Sequence, residues 1–100
     1  MQITLSTASA TLESLIGASG VVQANAARPQ SQPYYNVTIA NPGAIAIYFE
    51  MGANATTSGS IYVPVASGST PGYAFIKTDN LAKVNLIAAS GTPTANVTFG

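Results

Sequence analysis

Apart from hydroxyls and amides, the reactive side chains of this sequence are few: Glu13, Glu50 and Asp79; Arg28, Lys77 and Lys83; and Tyr34, Tyr35, Tyr48, Tyr62 and Tyr73. There is no His and no Cys. The usual general base, the thiol nucleophile and the common transition-metal ligands therefore have nothing to be built from. Glu50 and Asp79 are the one carboxylate pair on which glycosidase-like acid–base chemistry could rest. Glu50, however, falls on the less apolar side of a strand, and Asp79 stands beside Asn80 in a turn where Asx side chains bond their own backbone. Both read as structural. Asp79-Asn80 also offers too few oxygens for a calcium site. The expectation is a protein that is not an enzyme and holds no cofactor and no metal.

The tyrosines allow two readings. A Tyr ring with its hydroxyl suits a half-wet contact surface for protein or sugar, while aromatic residues are also ordinary strand formers. Strand propensity is the leading reading. Tyr48 and Tyr62 alternate away from Ile47 and Val63 and are the better surface candidates. Sequons at Asn36, Asn54 and Asn96 come without a secretion signal and read as Asn- and Thr-rich strand composition. Glycine-containing runs such as SGSTPG lack phosphate-loop spacing and read as turns.

Composition narrows the classes further. One hundred residues make one small domain that buries roughly 60–70% of its unfolded surface. Hydrophobic residues are 47% of the chain and charged residues 6%, with a formal net charge of zero; an average soluble protein carries about 25% charged residues. Such a chain is prone to associate. Three separated basic residues are too few for nucleic acid, which needs clustered Lys and Arg. The N-terminal MQITLSTASATLESLIG lacks a basic n-region and an unbroken apolar run. No segment approaches the ~20 apolar residues of a membrane span. These features read as a protein made in a cytoplasm and kept soluble or assembled there.

The elements that would position these residues are mostly strands. In YYNVTIANPGAIAIYFEM, Tyr35, Val37 and Ile39, and then Ile45, Ile47, Phe49 and Met51, recur with period two about Asn41-Pro42-Gly43, which predicts a central β-hairpin over Tyr34–Met51. Upstream, Ile3 and Leu5 mark a short strand, and Leu12, Leu15 and Ile16 a helix of one or two turns ending at Gly17. Ala18–Pro33 shows no periodicity and reads as a long polar loop. Downstream, Ile61–Val65 reads as a strand, which Pro64 pushes to a sheet edge. Tyr73–Lys77 is another strand. Leu81–Ala89, with Val84, Leu86 and Ala88 on one face, and Ala95, Val97 and Phe99 form a last hairpin about Ser90–Thr94. The predicted fold is a single all-β domain over residues 1–100, a β-sandwich or jelly-roll-like barrel of six to seven short antiparallel strands with a short N-terminal helix. Residues 1–33 are expected to include an extended arm or docking segment.

From Val37 to Phe99 the pattern VTIANPGAIAIYFEMG, then TTSGSIYVPV, then Asp79-Asn80-Leu81 into KVNLIAASGT, then NVTFG, resembles small virion proteins of tailed bacteriophages. The resemblance implies a capsid-associated structural protein of the decoration or cement type, with the major capsid protein as partner, a virion-surface location after assembly in the host cytoplasm, and a homo-oligomer, a trimer being favoured. It implies neither nucleic-acid nor membrane binding. The interface candidates are Arg28 in the aperiodic stretch, Tyr34, Tyr48 and Tyr62. A head-to-tail or tail component, or a host-recognition module binding carbohydrate through its Tyr rings, is the alternative.

Overall fold

Alternating apolar residues produce most of the strands where the sequence places them. The computed structural model describes residues 1–28 and 31–100. It contains β1 (Gln2–Thr4), β2 (Ala10–Thr11), helix α1 (Leu12–Ala27), β3 (Tyr35–Asn41), β4 (Ile47–Met51), β5 (Ile61–Val63), β6 (Gly72–Thr78), a 3₁₀ turn (Leu81–Lys83), β7 (Val84–Ala88) and β8 (Thr94–Phe99). The inward residues Ile3, Val37, Ile39, Ile47, Phe49, Val63, Ala74, Ile76, Val84, Leu86, Ala95 and Val97 form one core together with Leu5, Leu12, Ile16 and Leu81. Residues on either side of the aperiodic stretch thus share a single core.

Two four-stranded sheets contribute to this core: sheet I in the order β1-β8-β3-β6 and sheet II in the order β2-β7-β4-β5. Every strand pairing is antiparallel. The β-rich antiparallel architecture agrees with the sequence reading. Among the described residues the strand count is eight, not six to seven, and neither sheet closes into a barrel. The pairs β1–β8, β2–β7, β3–β6 and β4–β5 make the first half of the chain run back along the second as one ribbon. Successive rungs of that ribbon fall alternately in the two sheets.

Neither expected hairpin exists as such. β3 lies in sheet I and β4 in sheet II, and β7 and β8 are divided the other way. The face assignments survive this except at Met51, which ends β4 exposed, because alternation specifies which side of a strand is buried and says nothing about its neighbour. What converts the first hairpin into a corner is Asn41. Its fully buried carboxamide donates from Nδ2 to the Ile45 carbonyl (2.8 Å) and accepts at Oδ1 from Gly43 N–H (3.1 Å). The bend over Pro42–Ala44 is thereby held from inside, and Ile47 enters the opposite sheet.

Helix α1 replaces most of the expected loop. Thr11 caps it, with Oγ1 accepting from Ser14 N–H (3.2 Å) while Ser14 Oγ donates to the Thr11 carbonyl (2.8 Å). Gly17 does interrupt the helix, at φ 70°, ψ −177°, but helical backbone resumes beyond it to Ala27. The buried stripe is Leu12, Ile16, Gly20 and Ala24. Its second half is made of residues too small to register as apolar periodicity, which is why Ala18–Ala27 read as a loop. Gly20 is small of necessity, since a Cβ there would stand 2.5 Å from Ile16 Cβ. Of the expected loop, Pro29 and Gln30 lie outside the described residues.

Sheet II ends at β5, a three-residue edge strand followed by Pro64, as the proline implied. The chain then returns to sheet I so closely that a Cβ on Gly72 would lie 1.8 Å from the Pro64 carbonyl oxygen. Gly72→Ala must displace backbone, and Asn41→Ala removes two hydrogen bonds from a dry site. Each is expected to lower the unfolding free energy by about 2–4 kcal/mol. Urea denaturation checks both, against Ser31→Ala on an exposed turn, which is expected to be neutral.

Candidate interaction surfaces

The outward faces of the two sheets follow from the same alternation. On β6, Ala74 and Ile76 go into the core, so Tyr73, Phe75 and Lys77 face out. Phe75 is 78% exposed and Tyr73 48%. Their rings stack at 6.4 Å with 14° between planes. Lys77 extends the row and places Nζ 4.9 Å from the ring centroid of Tyr34, itself 42% exposed. Opposite them on β3 stand Ala40, Thr38 and Asn36, which are small or polar. The result is an aromatic ridge at the margin of sheet I beside a low, uncharged shelf.

On sheet II the outward row is Tyr62, Tyr48 and Ile87, directly opposite one another on β5, β4 and β7. The Tyr48 and Tyr62 rings lie 5.6 Å apart at 48°. Tyr48 is half-buried and Ile87 buried beside it, whereas Tyr62 is 47% exposed. Tyr62 Oη accepts from Val65 N–H (3.2 Å) and so helps hold the chain as it leaves β5. Such a tilted, partly sunken pair contributes side-on apolar contact. A flat stacking platform of the sort a sugar ring covers would need parallel exposed faces.

The four interface candidates therefore divide. Tyr48 and Tyr62 are brought together on sheet II, and Tyr34 joins Lys77 by sheet I. Arg28 has an internal function: its guanidinium lies 4.8 Å from the Tyr35 centroid, and the Tyr35 hydroxyl donates to Asn25 Oδ1 at 2.6 Å. These contacts fasten the C-terminal end of α1 to the start of β3. Arg28 is half-buried. The residues that the sequence reading passed over are Tyr73 and Phe75. With Ala74 and Ile76 assigned to the core, strict alternation in YAFIK would have turned both outward.

Glu50 and Asp79 are engaged separately. Glu50 Oε1 accepts from Ser60 Oγ at 3.5 Å on the outer face of sheet II. Asp79 receives the Lys83 ammonium at 3.0 and 3.2 Å, and Asn80 caps the 3₁₀ turn by accepting from Ala82 N–H at 2.9 Å. Among the described residues no group of three or more His, Cys, Asp or Glu converges. The hydrogen bond from Lys83 holds the Asp79 carboxyl below the usual carboxylate range. A depressed folded-state value means that this pair adds stability above the unfolded-state pKa and loses it as pH falls through the lowered value, a window below about pH 4. Both side chains are about half exposed (52% and 54%), so the effect is small and screened by salt. An NMR titration is expected to show the Asp79 midpoint rising in Lys83→Ala and in high salt; a midpoint indifferent to both would mean that the pair does not form.

No protein-family model, no curated protein and no solved structure matches this chain.

Proposed function

We propose that this chain is a structural virion protein of the decoration or cement type, a jelly-roll subunit that binds on or between major capsid subunits and stabilises the shell by burial. The observation that carries the reading is the pairing of two outward aromatic rows, on opposite sheets, with a surface almost free of charge. Tyr73 and Phe75 on one side and Tyr62 on the other leave apolar area in water that a freely soluble domain would cover or surround with charge. A subunit seated among neighbours has use for both faces. The ribbon wound alternately into two four-stranded sheets supports the jelly-roll description, an architecture that occurs in viral capsid and lectin domains. That support is by analogy of fold, and the resemblance of the Val37–Phe99 pattern to phage virion proteins adds to it.

The mechanism is linkage. A protein that binds the closed shell and not its separated subunits shifts the equilibrium towards the closed shell by its binding free energy. Each lasting contact is expected to bury more than about 1,000 Å².

Two measurements check this. Quantitative mass spectrometry of purified particles is expected to find copy numbers comparable to those of the major shell protein. Particles stripped of the chain are expected to open at lower temperature than decorated ones. A handful of copies per particle would instead indicate a connector or tail component, and equal opening temperatures would remove the stabilising role.

A further inference from the structure

Four strand edges bound the two sheets, and three of them are blunt. β1 has three residues, β2 has two, and β5 has three followed by Pro64. Shortness and proline are the means by which exposed edges avoid pairing with other chains. β6 is different, with seven residues, no proline and regular pairing to β3 along its whole length.

The hydrogen-bond register shows which groups this edge offers. Gly100 N–H donates to the Asn36 carbonyl (3.1 Å), so Asn36 directs its backbone groups towards β8. In an antiparallel ladder successive residues alternate their bonding direction. Thr38 and Ala40 therefore also face β8, while Tyr35, Val37, Ile39 and Asn41 face β6. Their partners Thr78, Ile76, Ala74 and Gly72 are used up internally. Tyr73, Phe75 and Lys77 are left with N–H and C=O pointing off the edge. Among the described residues nothing bonds these six groups. The three residues that present free backbone are the same three that present the exposed Tyr, Phe and Lys side chains.

We propose that β6 pairs with β6 of a second copy of this chain, antiparallel about a two-fold axis through the Phe75 pair. This register uses all six free groups. Phe75 exchanges both hydrogen bonds with the partner's Phe75, and Tyr73 and Lys77 do the same with the partner's Lys77 and the partner's Tyr73. The two sheets I become one eight-stranded sheet, and the aromatic ridges meet on its outer face. Charge favours this arrangement. Lys77 is the one charged residue of the strand, and the register sets it against an aromatic ring, a cation–π contact, with the two ammonium groups kept apart. A register centred on Lys77 would place like charges face to face, which is unfavourable. The zero net charge of the chain adds no long-range repulsion.

The oligomer so formed is a closed dimer, not the trimer that the resemblance implies. Aromatic side chains bury about 150–250 Å² each when fully covered, and two partly exposed rings per strand supply less than the roughly 800 Å² per partner of a lasting interface. The dimer is accordingly weak, with Kd of roughly 10 µM to 1 mM. It forms where copies are crowded and does not depend on what the chain decorates.

The absence of cysteine from the sequence makes a direct test possible. In the proposed register the two Phe75 Cα atoms lie about 5.5 Å apart, within disulfide range. Phe75→Cys is expected to cross-link under mild oxidation at least about tenfold faster than Tyr73→Cys, Lys77→Cys or the exposed control Ala82→Cys alone. An equimolar mixture of Tyr73→Cys and Lys77→Cys is expected to form the mixed disulfide quickly. Sedimentation of the unmodified chain is expected to show reversible dimerisation below about 1 mM, lost in Phe75→Lys. Equal cross-linking at all four positions, or a monomer throughout the concentration range, would overturn the proposal. Neither result bears on the copy number of the chain in particles, so this inference and the virion reading fail separately.

Discussion

The side chain of Asn41 is the polar group on which the architecture turns. It is buried and doubly bonded, and it lies where the chain leaves one sheet for the other. A polar group placed in a dry interior is tolerated only when its hydrogen bonds are met. Those bonds are met only if Ile45 and Gly43 fold back over it. The corner is therefore specified by a requirement for satisfaction, and an apolar residue of similar size would exert no such direction. Once β3 and β4 are assigned to different sheets, their partners follow: β6 and β8 go to one sheet, β5 and β7 to the other.

The scarcity of charge has structural consequences as well as colloidal ones. β7 is buried at all five positions, including Asn85, whose Nδ2 donates to the Lys83 carbonyl. This central strand has no solvated side on which to carry charge. The six ionisable Asp, Glu, Lys and Arg side chains are thus left to turns, the helix and the outer strand faces. Two of them, Asp79 and Lys83, are spent on each other. What covers the remaining surface is largely Thr, Ser, Asn, Ala and exposed aromatic rings.

The sequence made the inside of this fold more legible than its connections. Period-two alternation identified buried members of β1, β3, β4, β7 and β8, and Pro64 marked an edge. Pairing was not legible. A turn such as Asn-Pro-Gly is compatible with a hairpin and with a corner, and the difference is decided by what the Asn side chain meets in three dimensions. The second half of α1 was missed because Gly20 and Ala24 are its buried residues, small enough for close approach and for that reason silent in a hydrophobic pattern. Among surface residues, Tyr48 and Tyr62 were found by their alternation against Ile47 and Val63. Phe75 was overlooked, although the same rule applied to Ala74 and Ile76 would have exposed it. Arg28 lacked periodic context, and its contact with Tyr35 was not legible.

The nested pairing also sets an order of events in time. The innermost rung joins Tyr48 to Tyr62 across one loop, while the outermost joins Gln2 to Asn96, spanning nearly the whole chain. Closing a long loop costs more entropy than closing a short one, and each completed rung shortens the next loop to be closed. Folding is thereby biased to zip from the β4–β5 tip towards the termini, leaving β1 and β8 as the last strands to lock. During that interval β3 offers an empty seat that β8 has yet to fill, and the vacancy belongs to the kinetics of the chain, however complete the finished ribbon is.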